Sequence, residues 1–229
     1  MQANWQNPAD AREAITIQEA LRHRVSLENA IHNPQCFAGV DCSYNLKTDT
    51  ARAVVVLMQM GEWEPQHIAT AEIPTPFPYI PGLLSFREIP VILKALAQLP
   101  QTPDVLMVDG QGIAHPRRLG IAAQLGVVTD LPAIGVAKSR LTGTLTEPGL
   151  NKGDAEPLMH HGERIGTVLR SRNKVRPLFI SPGHKIDIPT ATQLVINCLT
   201  RYRLPEPTRI ADKFSKKAHW DTLPHSVSF

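Results

Sequence analysis

Residues 104–118 read DVLMVDGQGIAHPRR. The apolar run 105–108 suits a short strand buried on both faces, and it stops at Asp109. Gly110, Gly112, His115, Pro116, Arg117 and Arg118 follow at once. Ligand sites in open α/β sheets lie just outside the carboxyl ends of strands. An acid at that place, next to backbone free of Cβ atoms, therefore predicts a site at the end of a central strand. A helix is expected from about Pro116, opened by Arg117 and Arg118, and then a strand over 133–137, AIGVA.

Upstream, Asn7-Pro8 reads as a cap and first helical position, and Ile17, Leu21 and Val25 recur at i+4 spacing, which predicts an amphipathic helix over about 8–31. Three extended stretches follow, 37–44 (FAGVDCSY), 51–60 (ARAVVVLMQM) and 62–73 (EWEPQHIATAEI), separated by a polar loop and by Gly61. They read as an antiparallel meander, with Pro65 marking an irregular or edge start to its third strand. PTPFPYIP (74–81) has four prolines, which remove donors and fix φ, so it is neither helix nor central strand. The stretch 82–99 is helical in composition, with Pro90 either bending it or marking its first turn. Downstream, 165–170 and 177–181 look like strands, His160-His161 falls in a polar loop, and Pro189 and Pro207 each open a helix. The order β-β-β-α-β-α-β, then further mixed elements, predicts an α/β ribonuclease-H-like domain: a central mixed sheet flanked by helices. No repeat or linker interrupts residues 1–229, which predicts one domain.

Hydrophobic residues make up 42% of the chain, near the usual ~45–50% for globular proteins. No apolar run approaches the ~20 residues that span a bilayer, and residues 1–10 lack a basic-then-apolar leader. A cytoplasmic protein with no membrane contact is expected. Cys36, Cys42 and Cys198 fit no metal spacing and read as packing residues. Charge is uneven: residues 1–109 hold 7 Lys+Arg against 12 Asp+Glu, and residues 110–229 hold 17 against 9. An acidic focus beside a basic surface is what a metal-dependent site for a polyanion needs, although solvated charges can fall this way in any protein.

Taken singly, the acids have ordinary readings: Asp41 as a strand-end residue, Asp109 as a cap, Glu88 as an exposed helix residue, and Asp212 as a partner for Lys213. Together they say more. The first and fourth strands of a ribonuclease-H-like sheet lie side by side, so Asp41 and Asp109 meet, and the helix after the meander brings Glu88 to them. Crowded carboxylates repel one another unless a cation intervenes. Mg²⁺, with Mn²⁺ as a substitute, suits such all-oxygen ligands.

Several long motifs in order, AGVDCSY (38–44), PYIPGLLSFRE (78–88), VDGQGIAHPRRLGIAAQLGV (108–127), IGVAKSRL (134–141), SPGH (181–184) and EPTRIAD (206–212), resemble the bacterial endonuclease V family of deoxyinosine 3′-endonucleases. The resemblance covers nearly the whole chain. It implies a ribonuclease-H-like fold and Mg²⁺-dependent hydrolysis of the second phosphodiester bond 3′ to deoxyinosine, leaving 3′-hydroxyl and 5′-phosphate ends. It makes Asp41 and Asp109 metal ligands, with Glu88 beside them, Lys138 by the scissile phosphate, and Asp212 at a position where some members carry His.

It also makes Pro78, Tyr79, Ile80 and Pro81 a wedge that enters the duplex when a base is extruded; read without the motifs, Tyr79 and Ile80 are core residues. Gly82, Gly110 and Gly112 would then let backbone come close to the base, and Arg117 and Arg118 either contact phosphates or are solvated. His115 either orients a phosphate or water, or packs on Pro116. The expected partner is inosine-containing DNA, single- or double-stranded, acted on by a monomer. The alternatives are an inosine-specific ribonuclease and a catalytically silent damage-binding protein.

Overall fold

The computed structural model describes residues 5–216; residues 1–4 and 217–229 of the expected 1–229 domain lie outside the described residues. The sheet grows from the meander. Strands β1 (Cys36–Asn45), β2 (Thr50–Gln59) and β3 (Glu62–Pro74) pair antiparallel, and β4 (Val105–Val108) joins β1 in parallel. β5 (Ala133–Ala137) runs parallel to β4, and β8 (Leu178–His184), β7 (Glu163–Leu169) and β6 (Ala155–His160) complete a mixed eight-stranded sheet in the order β3-β2-β1-β4-β5-β8-β7-β6. Pro65 lies on edge strand β3 and Pro157 on edge strand β6, where a missing N–H costs no ladder bond to a further strand. The fold is the expected α/β, ribonuclease-H-like one.

Period-two alternation sends side chains to two cores. Ala38, Val40, Val55, Leu57, Leu106 and Val108 meet helices α2 (Leu84–Leu96) and α3 (Ile121–Thr129). Phe37, Met107, Ile134 and Val136 face α4 (Ile188–Asn197), while Val54, Val56 and Met58 meet α5 (Glu206–Ser215). Cys36 and Cys198 are buried and Cys42 packs at a core margin, as packing residues should.

Four local expectations need correction. The first helix, α1, spans only Ala11–Leu21, with a 3₁₀ turn over Arg22–Arg24, in place of 8–31. Asp10, not Asn7, caps it, accepting from the N–H groups of Arg12 (2.8 Å) and Glu13 (2.9 Å). Beyond the turn the chain leaves helix because Lys185, the residue after β8 (Leu178–His184), claims its backbone: Lys185 N–H donates to Ser26 O (2.7 Å) and Ala30 N–H to Lys185 O (3.1 Å). Second, α3 starts at Ile121 rather than Pro116. Residues 115–118 form a turn closed by Arg118 N–H to His115 O (2.8 Å), with Arg118 at φ 58. Third, β6 was not expected, and His160 ends it; only His161, at φ 53, is in the turn. Fourth, β8 runs on to His184. Pro90 sits inside α2, so it interrupts a running helix instead of starting one.

Candidate active site

β1 and β4 pair with Val40 beside Val108, and the Asp109 N–H donates to Val40 O (2.9 Å). This register sets Asp41, midway along β1, beside Asp109, just past the carboxyl end of β4. α5 crosses β1 so closely that a Cβ on Gly39 would lie 2.0 Å from the Pro207 carbonyl oxygen. That approach delivers Asp212 and Ser215, one helical turn apart, to Asp41. Ser215 Oγ donates to Asp41 Oδ2 and also lies 3.0 Å from Asp212 O. Each of Asp41, Asp109 and Asp212 offers an oxygen within 4.8 Å of the others.

Burial, then the Asp109 charge, pushes the Asp41 carboxyl up to about 7. Glu88 comes from α2 on the opposite face; burial raises it to about 8, against a hydrogen bond from Tyr44 OH (2.8 Å), and the charges of Asp41 and Asp109 add to the rise. Lys138, just past β5, donates to both Asp109 Oδ2 and Asp212 Oδ1. Burial works to raise Asp212, but Lys138 and Lys216 outweigh it and hold its carboxyl below the usual range. A set of oxygen donors, one of them resisting ionisation for want of positive charge, suits a hard divalent cation. The cluster could hold a metal, with Asp212 joining the two acids expected to do so.

Asp109 and Lys138 also border a cavity of about 430 Å³, within the ~300–1,000 Å³ of small-molecule sites. Tyr79, Ile80, Pro81 and Gly82 form one side of it and Gly110 and Gln111 another. Tyr79 is 69% exposed, so it is no core residue; the loop is anchored instead by buried Phe77 and Leu83 at its two ends. Gly112 does not border the cavity. A Cβ there would meet the Pro182 carbonyl oxygen at 2.1 Å, so this glycine serves the packing of β8.

The two arginines turn inward. Arg117 Nη2 donates to Gly82 O (2.6 Å) and its Nε to Gln18 Oε1 (2.6 Å), while Arg118 Nη2 reaches Glu163 Oε2 (2.8 Å) and His160 O (3.3 Å). Neither opens a helix, and both have protein partners. His115 does not simply pack on Pro116: its Nδ1 accepts from Arg117 N–H (3.2 Å), so its Nε2 carries the proton shared with Gly82 O (3.1 Å). Sequence reasoning missed Ser215, Tyr44 and Gln18. The i+3 spacing from Asp212 was a usable signal for Ser215; for Gln18 there was none, since its partners lie 64 to 101 residues away.

Burial, then the Arg117 charge, lowers the His115 imidazole to about 4 from 6.5. The folded state thus prefers neutral His115. The stability this confers is complete above pH 6.5 and is lost as pH falls toward 4, worth roughly 3 kcal/mol across that window. His115→Asn keeps a donor for Gly82 without the titration. In urea unfolding between pH 7 and pH 4.5 the variant should lose less stability than the wild type; parallel losses would contradict the assignment.

The family model for endonuclease V matches residues 19–213. An endonuclease V of Nostoc punctiforme is 50% identical over 209 residues, covering 91% of this chain and 95% of that protein. The crystal structure of endonuclease V from Streptomyces avermitilis superposes with a TM-score of 0.87 at 40% identity, covering 92% and 93% of the two chains. That of Ciona intestinalis endonuclease V, in complex with a 24mer DNA containing an inosine followed by a ribo-adenosine, gives 0.80 at 29% identity, covering 90% and 95%.

Proposed function

Because this chain belongs to the endonuclease V family and is an enzyme, a nuclease, we propose that it cuts DNA at deoxyinosine. The cut falls at the second phosphodiester bond on the 3′ side, requires Mg²⁺ or Mn²⁺, and leaves 3′-hydroxyl and 5′-phosphate ends. One juxtaposition carries the reading: a cluster of three aspartates stands at the edge of a base-sized cavity whose other side is a stiff loop with an exposed Tyr79.

In this reading Asp41, Asp109 and Asp212 hold the metal. When bound, a hard divalent cation offsets the negative charge of the carboxylates and of the phosphate under attack. Glu88, withdrawn from solvent and held by Tyr44, takes the proton of the attacking water. Lys138 brings a positive charge to the phosphoryl oxygens. Tyr79 and Ile80, stiffened by Pro78 and Pro81, fill the gap left by the extruded base. Backbone at Gly82 and Gly110 approaches that base where a Cβ would stand in the way. His115 holds Gly82 in place.

The test is a labelled strand with a single inosine, incubated with Mg²⁺ or with chelator. Cutting at the second 3′ bond in Mg²⁺ alone is expected; equal cutting of the undamaged strand, or cutting in chelator, would overturn the reading. The ribo-adenosine after inosine in the Ciona complex favours one second reading, cleavage of inosine-containing RNA. Rates on matched DNA and RNA strands decide between them.

Tyr79→Ala should weaken binding to inosine DNA by about 5- to 150-fold, the ~1–3 kcal/mol of a base stacked on an aromatic ring. Since Tyr79 is exposed, the melting temperature should hardly move. A melting temperature that falls while the folded fraction binds as before would refute the wedge.

A further inference from the structure

One carbonyl oxygen joins three parts of the chain. Gly82 O accepts from Arg117 Nη2 (2.6 Å), from His115 Nε2 (3.1 Å) and from Gln18 Nε2 (3.2 Å). Arg117 closes the arrangement by donating its Nε to Gln18 Oε1 (2.6 Å). Gln18 is 1% exposed on α1, and its amide also reaches Ser85 Oγ at 3.4 Å. Ser85 in turn donates to buried Gln124 on α3 (2.6 Å). A helix near the start of the chain, the loop bordering the cavity and the segment after Asp109 therefore share one buried polar network.

The loop needs such a tie. Pro78, Tyr79 and Pro81 are exposed, and at the tip only half-buried Ile80 packs against a core cluster, so core contacts alone fix the tip weakly. Prolines make the loop stiff, and a stiff loop moves as a unit when its base moves. Gly82, at φ +79, is that base, and a Cβ on it would sit 2.9 Å from Arg117 Nη2. The guanidinium thus lies directly against the loop's turning point.

We propose that Gln18 and Arg117 are positioning residues that fix the 78–82 loop over the cavity through the Gly82 carbonyl, and so set the preference for a lesion over ordinary DNA. The inference rests on the reading of this loop given under Proposed function. Arg117 acts through the loop and not on phosphate: its Nη2 is spent on the Gly82 carbonyl and its Nε on Gln18, which holds the same carbonyl. Only a planar fork can hold Gln18 and Gly82 at once; a lysine ammonium has no second arm at that spacing.

The experiment compares wild type, Arg117→Ala, Arg117→Lys, Gln18→Ala and Gln18→Ala/Arg117→Ala. Fluorescence anisotropy with chelator present gives affinity for an inosine oligonucleotide and for its undamaged counterpart at several salt concentrations. Melting temperature, kcat and KM are measured on the same proteins. The ratio of lesion to undamaged affinity should fall about ten- to hundred-fold in each single variant, the cost of a small misplacement of a binding element. Arg117→Lys should be impaired nearly as much as Arg117→Ala. The double variant should lose less than the product of the single losses, because one network is broken once. KM should rise more than kcat falls, and the salt slope should hold.

Restoration by Lys, or a salt slope reduced by about one with undamaged DNA weakened in parallel, would mark Arg117 as a phosphate contact and overturn the inference. So would a lower melting temperature with the ratio unchanged, which a merely structural role produces. A wild type with no preference for inosine would instead show that the functional reading has failed, and the inference with it.

Discussion

Replacing Asp109 or Asp41 by Asn should reduce cleavage of inosine DNA by about 10³-fold or more while leaving the fold and lesion binding in place. A divalent ion contributes several kcal/mol of charge stabilisation to phosphoryl transfer, and 1.36 kcal/mol is one decade in rate. Asn keeps the shape of Asp and offers one neutral oxygen where a charged carboxylate stood. The loop comes from another segment, and Asn keeps the shape of Asp109 where it borders the cavity, so binding persists. Stability offers a second readout. The Asp41 carboxyl is raised to about 7 by burial and by Asp109, so its ionised form opposes folding. That penalty is absent below about pH 4 and grows as pH rises to 7. Without divalent ions at pH 8, Asp41→Asn should therefore melt no lower than wild type, and with Mg²⁺ it should lose the stabilisation that the metal gives wild type. Turnover within tenfold of wild type in either variant would remove the metal assignment.

Gly39→Ala should cost both stability and rate. The added Cβ would stand 2.0 Å from Pro207 O and 2.2 Å from Pro207 C, and both are backbone atoms that cannot rotate away. α5 must move off β1, at the ~1–3 kcal/mol typical of an overfilled core or more. The same helix carries Asp212 and Ser215, which meet Asp41. A displacement of about 1 Å in a catalytic group can cost about 10²-fold in rate, so kcat of the folded enzyme should fall as well. Calorimetry and single-turnover rates on one preparation test this. A variant that melts like wild type, or a destabilised one that cuts at the wild-type rate when folded, would show that the α5–β1 contact does not position the site. Wild-type Gly39 follows directly from the crossing: the strand must be bare where the helix rests on it.

The central strands were legible because their cause is local. The apolar run 105–108 has no polar residue to expose, and the near-continuous buried runs in β1 and β2 record burial on both faces. Once those strands stand side by side, Asp41 and Asp109 must meet, so two of the three clustered aspartates could be read from composition and strand order. Asp212 was visible as a motif residue, but its arrival beside Asp41 depends on how α5 crosses the sheet.

What only the tertiary structure decided is where bonds of equal local merit go. Arg117 and Arg118 look like surface cations beside an acid, and nothing nearby in the chain says that one guanidinium turns back to Gly82 and Gln18 and the other to Glu163. The 25–31 segment has helical spacing but gives its hydrogen bonds to Lys185, 155 to 159 residues onward. β6 is an edge strand, paired with β7 and bridged once to Thr144, and its pattern alone cannot distinguish it from a loop. Periodicity records which face of an element is buried; the partners that bury it or satisfy its donors lie far along the chain, and a choice between a solvent bond and a protein bond of similar energy is settled only when the fold brings those partners within reach.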